Sequence, residues 1–192
     1  MMVRGIVLVA LLALSTGTAV AAETAPDLAQ RVQRLEGELR RLSDKDAIRD
    51  IMEDYAARLT ARDFDGYVAN FAPEGTWQNG GTLKRGHKEI HEMLEKMFPN
   101  TPANYVNQDS YMLVSDIQIK VDGDHATARS RQLSIIRGKN GDPTPVLAGR
   151  YEDEFVRRDG QWKILHRLDI TVIPTLEEWS KKMKEGILRP EK

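Results

Sequence analysis

The stretch GRYEDEFVRRDGQWKILHRLD, residues 149–169, decides how the C-terminal half of this chain folds. Polar and apolar residues alternate on both sides of Asp159-Gly160. An Asp-Gly pair between alternating runs is the signature of a tight β-hairpin. A turn centred there sets Arg157 opposite Trp162, Phe155 opposite Ile164, Asp153 opposite His166 and Tyr151 opposite Leu168. Successive side chains leave a strand on opposite faces. One face then carries Tyr151, Asp153, Phe155, Trp162, Ile164 and His166, and is expected to turn inward. The other carries Arg150, Glu152, Glu154, Lys163, Arg167 and Asp169. On that face Glu152 is expected against Arg167, and Arg150 against Asp169. Opposed charges of this kind contribute a few tenths to about 1 kcal/mol per pair.

The inward face is unusual because it holds an acid and an imidazole among aromatic side chains. A buried carboxylate needs a partner, and pairing with histidine offsets its desolvation. The same pairing orients the imidazole and tunes it for proton transfer. Asp153 and His166 are therefore either a catalytic pair or a purely structural one.

Working outward, YMLVSDIQIKV and HATARSRQLSIIR alternate on either side of Asp122-Gly123 and read as a second hairpin. GKNGDPTP is a loop, and Pro174 ends the last strand. Upstream the period changes. Ser43 to Asp46 resembles a capping box, and Ile48, Ile51, Met52, Tyr55 and Leu59 mark the apolar face of a helix to about residue 61. Asp63 opens a short second helix, with an N-cap role as its simplest reading. GTWQNGG is a short strand, and GHKEIHEMLEKMF a third helix. TLEEWSKKMKEG places Thr175 and Glu178 as a capping box for a last one. Helices first and antiparallel strands afterwards define an α+β fold.

The 192 residues suit one domain with appendages. Apolar residues make up 41% and charged residues 30%, which is ordinary for a globular chain. A net charge of −1 without a basic block gives nucleic-acid binding no electrostatic basis. No cysteine is present, so disulfides, thiolate nucleophiles and cysteine-bound metals are excluded. Residues 1–21 carry Arg4, an apolar run from Ile6 to Leu14 and the small-residue pattern Ala19-Val20-Ala21. That is the pattern of a secretory signal peptide, so a periplasmic or secreted protein is expected, without a membrane span after cleavage. Residues 22–43 follow as a linker and amphipathic helix, with Leu28, Val32, Leu35, Leu39 and Leu42 spaced four and three apart. This stripe covers about two heptads, short for an isolated coiled coil. It either packs on its own domain or forms a dimerising arm. Residues 44–174 are the main domain and 175–192 the C-terminal helix and tail.

AIRDIMEDYAARLTARDFDGYVANFAPEGTW, GHKEIHEML, IKVDGDHATA and GRYEDEFVRRDGQWKILHR, in this order, resemble the SnoaL-like group of the nuclear transport factor 2-like superfamily. The resemblance implies a cone: a strongly curved antiparallel sheet wrapped around the N-terminal helices, with a pocket between. It also implies cofactor-independent lyase or isomerase chemistry, or non-catalytic binding of a small molecule. Lyase-like members pair an Asp near the end of the long helix with a His on a central strand. The Asp position corresponds to Asp63, or in another pattern to Thr60, and the His position falls on Met112 or Tyr111. The expected catalytic set is thus His166, Asp153 and Asp63, with the usual strand histidine missing. Tyr55, Trp77, Met112, Tyr151, Phe155 and Trp162 are expected to line the pocket, with Gln78 and Asn79 at its rim. His87 and His91 stand four apart on a helix, but the zinc-protease pattern is absent, and neither a metal nor a cofactor is expected. The expected partners are a small hydrophobic organic ligand and a second copy of the chain.

Overall fold

The computed structural model describes residues 25–186. The expected signal peptide and the last six residues lie outside them. Two compact units divide between Gly37 and Glu38. The described part of the first is the exposed beginning of helix α1 (Ala25–Ala61). That helix runs without a break past Ser43, so the expected start at Ser43–Asp46 is overturned. Pro26 sits in the first turn, where a missing backbone N–H costs no helix bond, no proline follows it in the helix, and a lone Gly37 costs only about 1 kcal/mol.

The second unit holds α2 (Phe64–Ala69), β1 (Phe71–Asn79), β2 (Thr82–Arg85), α3 (Gly86–Met97), β3 (Ser110–Asp122), β4 (His125–Arg137), β5 (Pro143–Arg158), β6 (Gln161–Ile173) and α4 (Leu176–Lys184). The strands form one six-stranded sheet in the order β2-β1-β6-β5-β4-β3. All neighbours are antiparallel except β1 and β6. This is the α+β architecture expected. Helical residues Ile48, Met52, Tyr55, Tyr67, Ile90 and Leu94 pack with Phe71, Tyr151, Phe155 and Ile164 in one core. Thr175 and Glu178 form the capping box of α4 as expected.

Phe155 and Trp162 belong to the structural core rather than to a pocket. Phe155 stands opposite Ile164, and both are buried. Trp162 donates from Nε1 to Asp44 Oδ1 at 3.1 Å, and the Arg157 guanidinium covers its ring. Arg157 also donates to the same oxygen at 2.6 Å. Asp44 thereby ties α1 to the β5–β6 hairpin.

The hairpin register starts as expected and then departs. Arg157 stands opposite Trp162, Val156 opposite Lys163 and Phe155 opposite Ile164. Leu165 has no partner: Glu154 faces His166, Asp153 faces Arg167 and Tyr151 faces Asp169. A one-residue bulge of this kind inverts the side chains that follow it, because the strand period is two, and a second shift, which leaves Val172 unpaired, restores the first parity at Ile173. His166 therefore leaves the inward face, and Arg167 and Asp169 enter it. The expected Glu152–Arg167 and Arg150–Asp169 ladders do not form. Glu152 and Arg150 instead stand opposite Leu168 and Ile170.

The outward face also carries apolar residues of its own. Leu113 of β3, Leu133 of β4, Ala148 of β5 and Ile173 of β6 lie in one cross-strand row. Leu113 and Ile173 are exposed, as is Tyr111 in the adjoining row.

Candidate functional site

Arg167 is the largest fully buried side chain among the described residues. Its Nε donates to Asp153 Oδ1 at 2.7 Å and its Nη2 to Oδ2 at 2.9 Å, a planar two-point fork. Its Cζ lies 3.8 Å from the Tyr55 ring centroid and 4.3 Å from that of Tyr151. Burial disfavours the guanidinium charge, but the Asp153 carboxylate outweighs that, and Arg167 stays above its ordinary value. The tyrosines are pushed the other way. Burial raises Tyr55, and raises Tyr67 and Tyr151 further, so all three hydroxyls stay protonated at neutral pH. The Tyr67 hydroxyl donates to that of Tyr55.

Asp169 lies two residues further along β6, on the same inward face. Gln132 of β4 donates from Nε2 to Asp169 Oδ1 at 2.6 Å, reaching across β5. Gly149 makes that reach possible: a Cβ there would stand 3.0 Å from Gln132 Nε2 and 2.5 Å from the Ile170 carbonyl oxygen. The Tyr151 hydroxyl holds the other end of the amide, donating to Gln132 Oε1 at 2.5 Å. Asn79 of β1 lowers the Asp169 carboxyl and donates to Thr171 Oγ1 at 3.2 Å. Burial pushes the Asp169 carboxyl up to about 7, against the lowering effect of Arg167 and the two amides. Asp169, Asn79, Thr171 and Met112 are only half-buried, so this end of the interior reaches solvent. The Tyr151 hydroxyl is 3.7 Å from Met112 Sδ.

Three buried side-chain donors among the described residues have no protein acceptor: Ser130 Oγ, Arg167 Nη1 and Trp77 Nε1. Arg167 and Trp77 are Cα partners on adjacent strands β6 and β1. Unpartnered buried donors are rare in folded proteins and call for an explanation.

The expected catalytic residues are not brought together. His166 bonds Thr76 Oγ1 through Nδ1 at 2.6 Å, on the face away from Asp153. Asp63 caps α2 by accepting from Gly66 N at 2.9 Å, and it takes a donor from Arg58 at 2.5 Å. Those bonds, led by the backbone one, lower its carboxyl below the usual range. Asp63 lines a surface cleft of about 360 Å³ with Arg62, Phe64, His91 and Tyr105. Thr60 donates back to carbonyl oxygens of its own helix. Asp153 is inward but fully engaged by Arg167. Tyr55, Tyr151, Trp77 and Met112 do surround the polar interior. Arg167, Asp169 and Gln132 are the residues that strand alternation missed, because only the bulge brings the first two inside. Among the described residues, no group of three or more His, Cys, Asp or Glu is placed to hold a metal. His87 spends Nε2 on the Phe71 carbonyl at 3.0 Å, and His91 lies beside Asp65 and Glu95.

A small α+β domain with helices packed on a six-stranded, mostly antiparallel sheet is the nuclear transport factor 2-like class. Within it, the chain belongs to the SnoaL-like domain family, whose profile matches residues 40–168. An uncharacterized protein of Mycobacterium tuberculosis is 24% identical over 131 residues, covering 67% of this chain and 85% of its own. Among solved structures, a nuclear transport factor 2-like protein of cystatin-like fold from Novosphingobium aromaticivorans is 16% identical, with a TM-score of 0.62 over 82% of this chain and 96% of its own. A protein from the same organism, provisionally named a scytalone dehydratase, is 26% identical, with a TM-score of 0.58 over 69% of this chain and 87% of its own.

Two predictions follow from this geometry. Replacing Asp153 by Asn strands the Arg167 charge in the core and costs about 3–5 kcal/mol in urea unfolding, whereas the apolar double variant Asp153→Leu with Arg167→Met loses much less. The second concerns pH. A carboxyl raised from 3.8 to about 7 on folding adds stability that is complete below pH 3.8 and lost as pH rises through about 7. Asp169→Asn removes this dependence, so thermal melts from pH 4 to 8 should show the wild type losing ground to the variant as pH rises.

Proposed function

We propose that this protein is a cofactor-independent acid–base enzyme of the dehydratase or isomerase type, with Asp169 as the proton-transferring group. The observation that carries this reading is a carboxyl held near pH 7 at the half-open end of the buried polar cluster. A group with that midpoint accepts and returns a proton at neutral pH, which is the requirement for general acid–base catalysis. Gln132 and Asn79 fix the carboxyl plane, and Tyr151 fixes Gln132. Arg167 Nη1 and Trp77 Nε1 are the donors available to a substrate oxygen, where developing negative charge is stabilised. The ligand suited to such surroundings is a small, largely apolar organic molecule bearing a hydroxyl or carbonyl. The provisional dehydratase name of one relative supports the reaction class by analogy only.

A second reading is a non-catalytic small-molecule binder. It is favoured by Met112 or Tyr111 standing where lyase-like members carry histidine. A panel of hydroxylated and enolisable aromatic and terpenoid compounds separates the two. Under the catalytic reading, Asp169→Asn lowers kcat by about 10²–10⁴ on any compound turned over, whereas His166→Gln leaves it unchanged. Full activity in Asp169→Asn rejects the assignment, and binding without turnover across the panel leaves the binder.

The outward apolar row offers a surface for a second copy. Leu113, Ile173 and Tyr111 expose large apolar groups on one sheet face, as unassembled monomers seldom do. Leu113→Asp should convert a homodimer to monomer in sedimentation equilibrium. An unchanged mass would remove this face from the interface.

A further inference from the structure

Helix α1 presents Leu28, Val32, Leu35, Leu39 and Leu42 to solvent, with exposures from 44% at Val32 to 68% at Leu39. Five large apolar residues at spacings of four and three would ordinarily be buried, and here no part of the described chain covers them. The heptad frame is fixed by the spacing. Val32 and Leu39 take position a, and Leu28, Leu35 and Leu42 take position d. Val32 is β-branched at one of the two a positions and all three d positions are leucine, a pattern that leans to a parallel two-stranded coil. The flanking charges agree. Arg31 falls at g and Glu36 at the following e, the two positions that meet across a parallel pair, so each dimer gains two opposite-charge contacts. Gly37 falls at f, on the far side, where its lack of a side chain costs no interface contact.

We infer that residues 28–42 form a parallel, in-register coiled coil with the same segment of a second copy of this chain. The occupant is a second copy because the stripe is self-complementary in both size and charge. Parallel pairing sets each residue against itself, Leu28 by Leu28 and Leu42 by Leu42, and brings the two N-termini to one end. An arm of this length is marginal alone. It gains from any contact elsewhere that already joins the two chains, through raised effective concentration.

The chain has no cysteine, so single introduced thiols report pairing directly. Full-length Leu28→Cys and Leu42→Cys proteins should each oxidise to disulfide-linked dimers at least ~10-fold faster than Gly37→Cys at the outward position. Arg31→Glu should slow the Leu28→Cys reaction, and adding Glu36→Arg should restore it, because the pair is re-formed with its signs exchanged. Circular dichroism on each variant confirms that the exposed substitutions leave the fold intact. Rates equal to that of Gly37→Cys overturn the coil. Preferential linkage in a mixture of Leu28→Cys with Leu42→Cys chains, or failure of the double reversal to restore the rate, overturns the parallel register. These readouts are local to the arm, so they stand apart from the sedimentation test of the sheet face.

Discussion

The interior of this domain is organised around a single buried ion pair. Arg167 and Asp153 face each other on neighbouring strands, and neither reaches water. Such a pair survives only when the geometry is close to ideal, since desolvating two charges costs several kcal/mol each. Here the fork is planar and two-pointed, and the Tyr55 and Tyr151 rings packed against the guanidinium supply further stabilisation. The arrangement makes Asp153 a fixed counter-charge rather than a proton carrier. It also leaves the neighbouring Asp169 with no full partner of its own, only two amides and a more distant guanidinium. Two carboxylates on adjacent strands thus acquire different chemistry from their surroundings, which is a general way of separating roles among like groups.

The unpaired Leu165 is what brings this about. Without the bulge, regular alternation from Trp162 and Ile164 would carry His166, Leu168 and Ile170 inward, a continuation with two apolar side chains of three. The structure takes the opposite parity and brings in Arg167, Asp169 and Thr171. A core that prefers three polar residues over an available, mostly apolar set departs from what burial alone favours. Departures of this kind are expected at functional sites.

This also marks how far the sequence was legible. The α+β class, both Asp-Gly turns, the Asp63 N-cap, the Thr175–Glu178 capping box and the first pairs of the hairpin follow from local rules that the structure obeys, whereas the single long α1 and the strand β2 (Thr82–Arg85) do not. The inward placement of Tyr55, Tyr151 and Asp153 follows from those rules too. The catalytic pairing did not follow, because nothing in ITVIP or KILHR advertises a bulge: Leu165 is an ordinary strand residue. The available signal was indirect. A strand pairing Glu152 with Arg167 outside leaves Asp153 only a histidine inside, whereas Arg167 offers that carboxylate a two-point fork and a permanent charge. Comparing the two registers by the quality of the buried pair, rather than by hydrophobic alternation, favours the one observed.

The same slip adds to the outer surface. Between the two shifts in β6 parity is kept, so each polar residue drawn inward sends an apolar neighbour outward. Leu168 and Ile170 are the direct counterparts of Arg167 and Asp169. They join a face that already carries Leu133 and Leu113 from the neighbouring hairpin. An isolated domain would pay for this exchange on both sides, with charges inside and hydrocarbon outside. The inner cost is met by the ion pair and its amide supports. The outer cost is met only if another surface covers that face, which links the chemistry of the interior to the assembly of the protein through one extra residue in one strand.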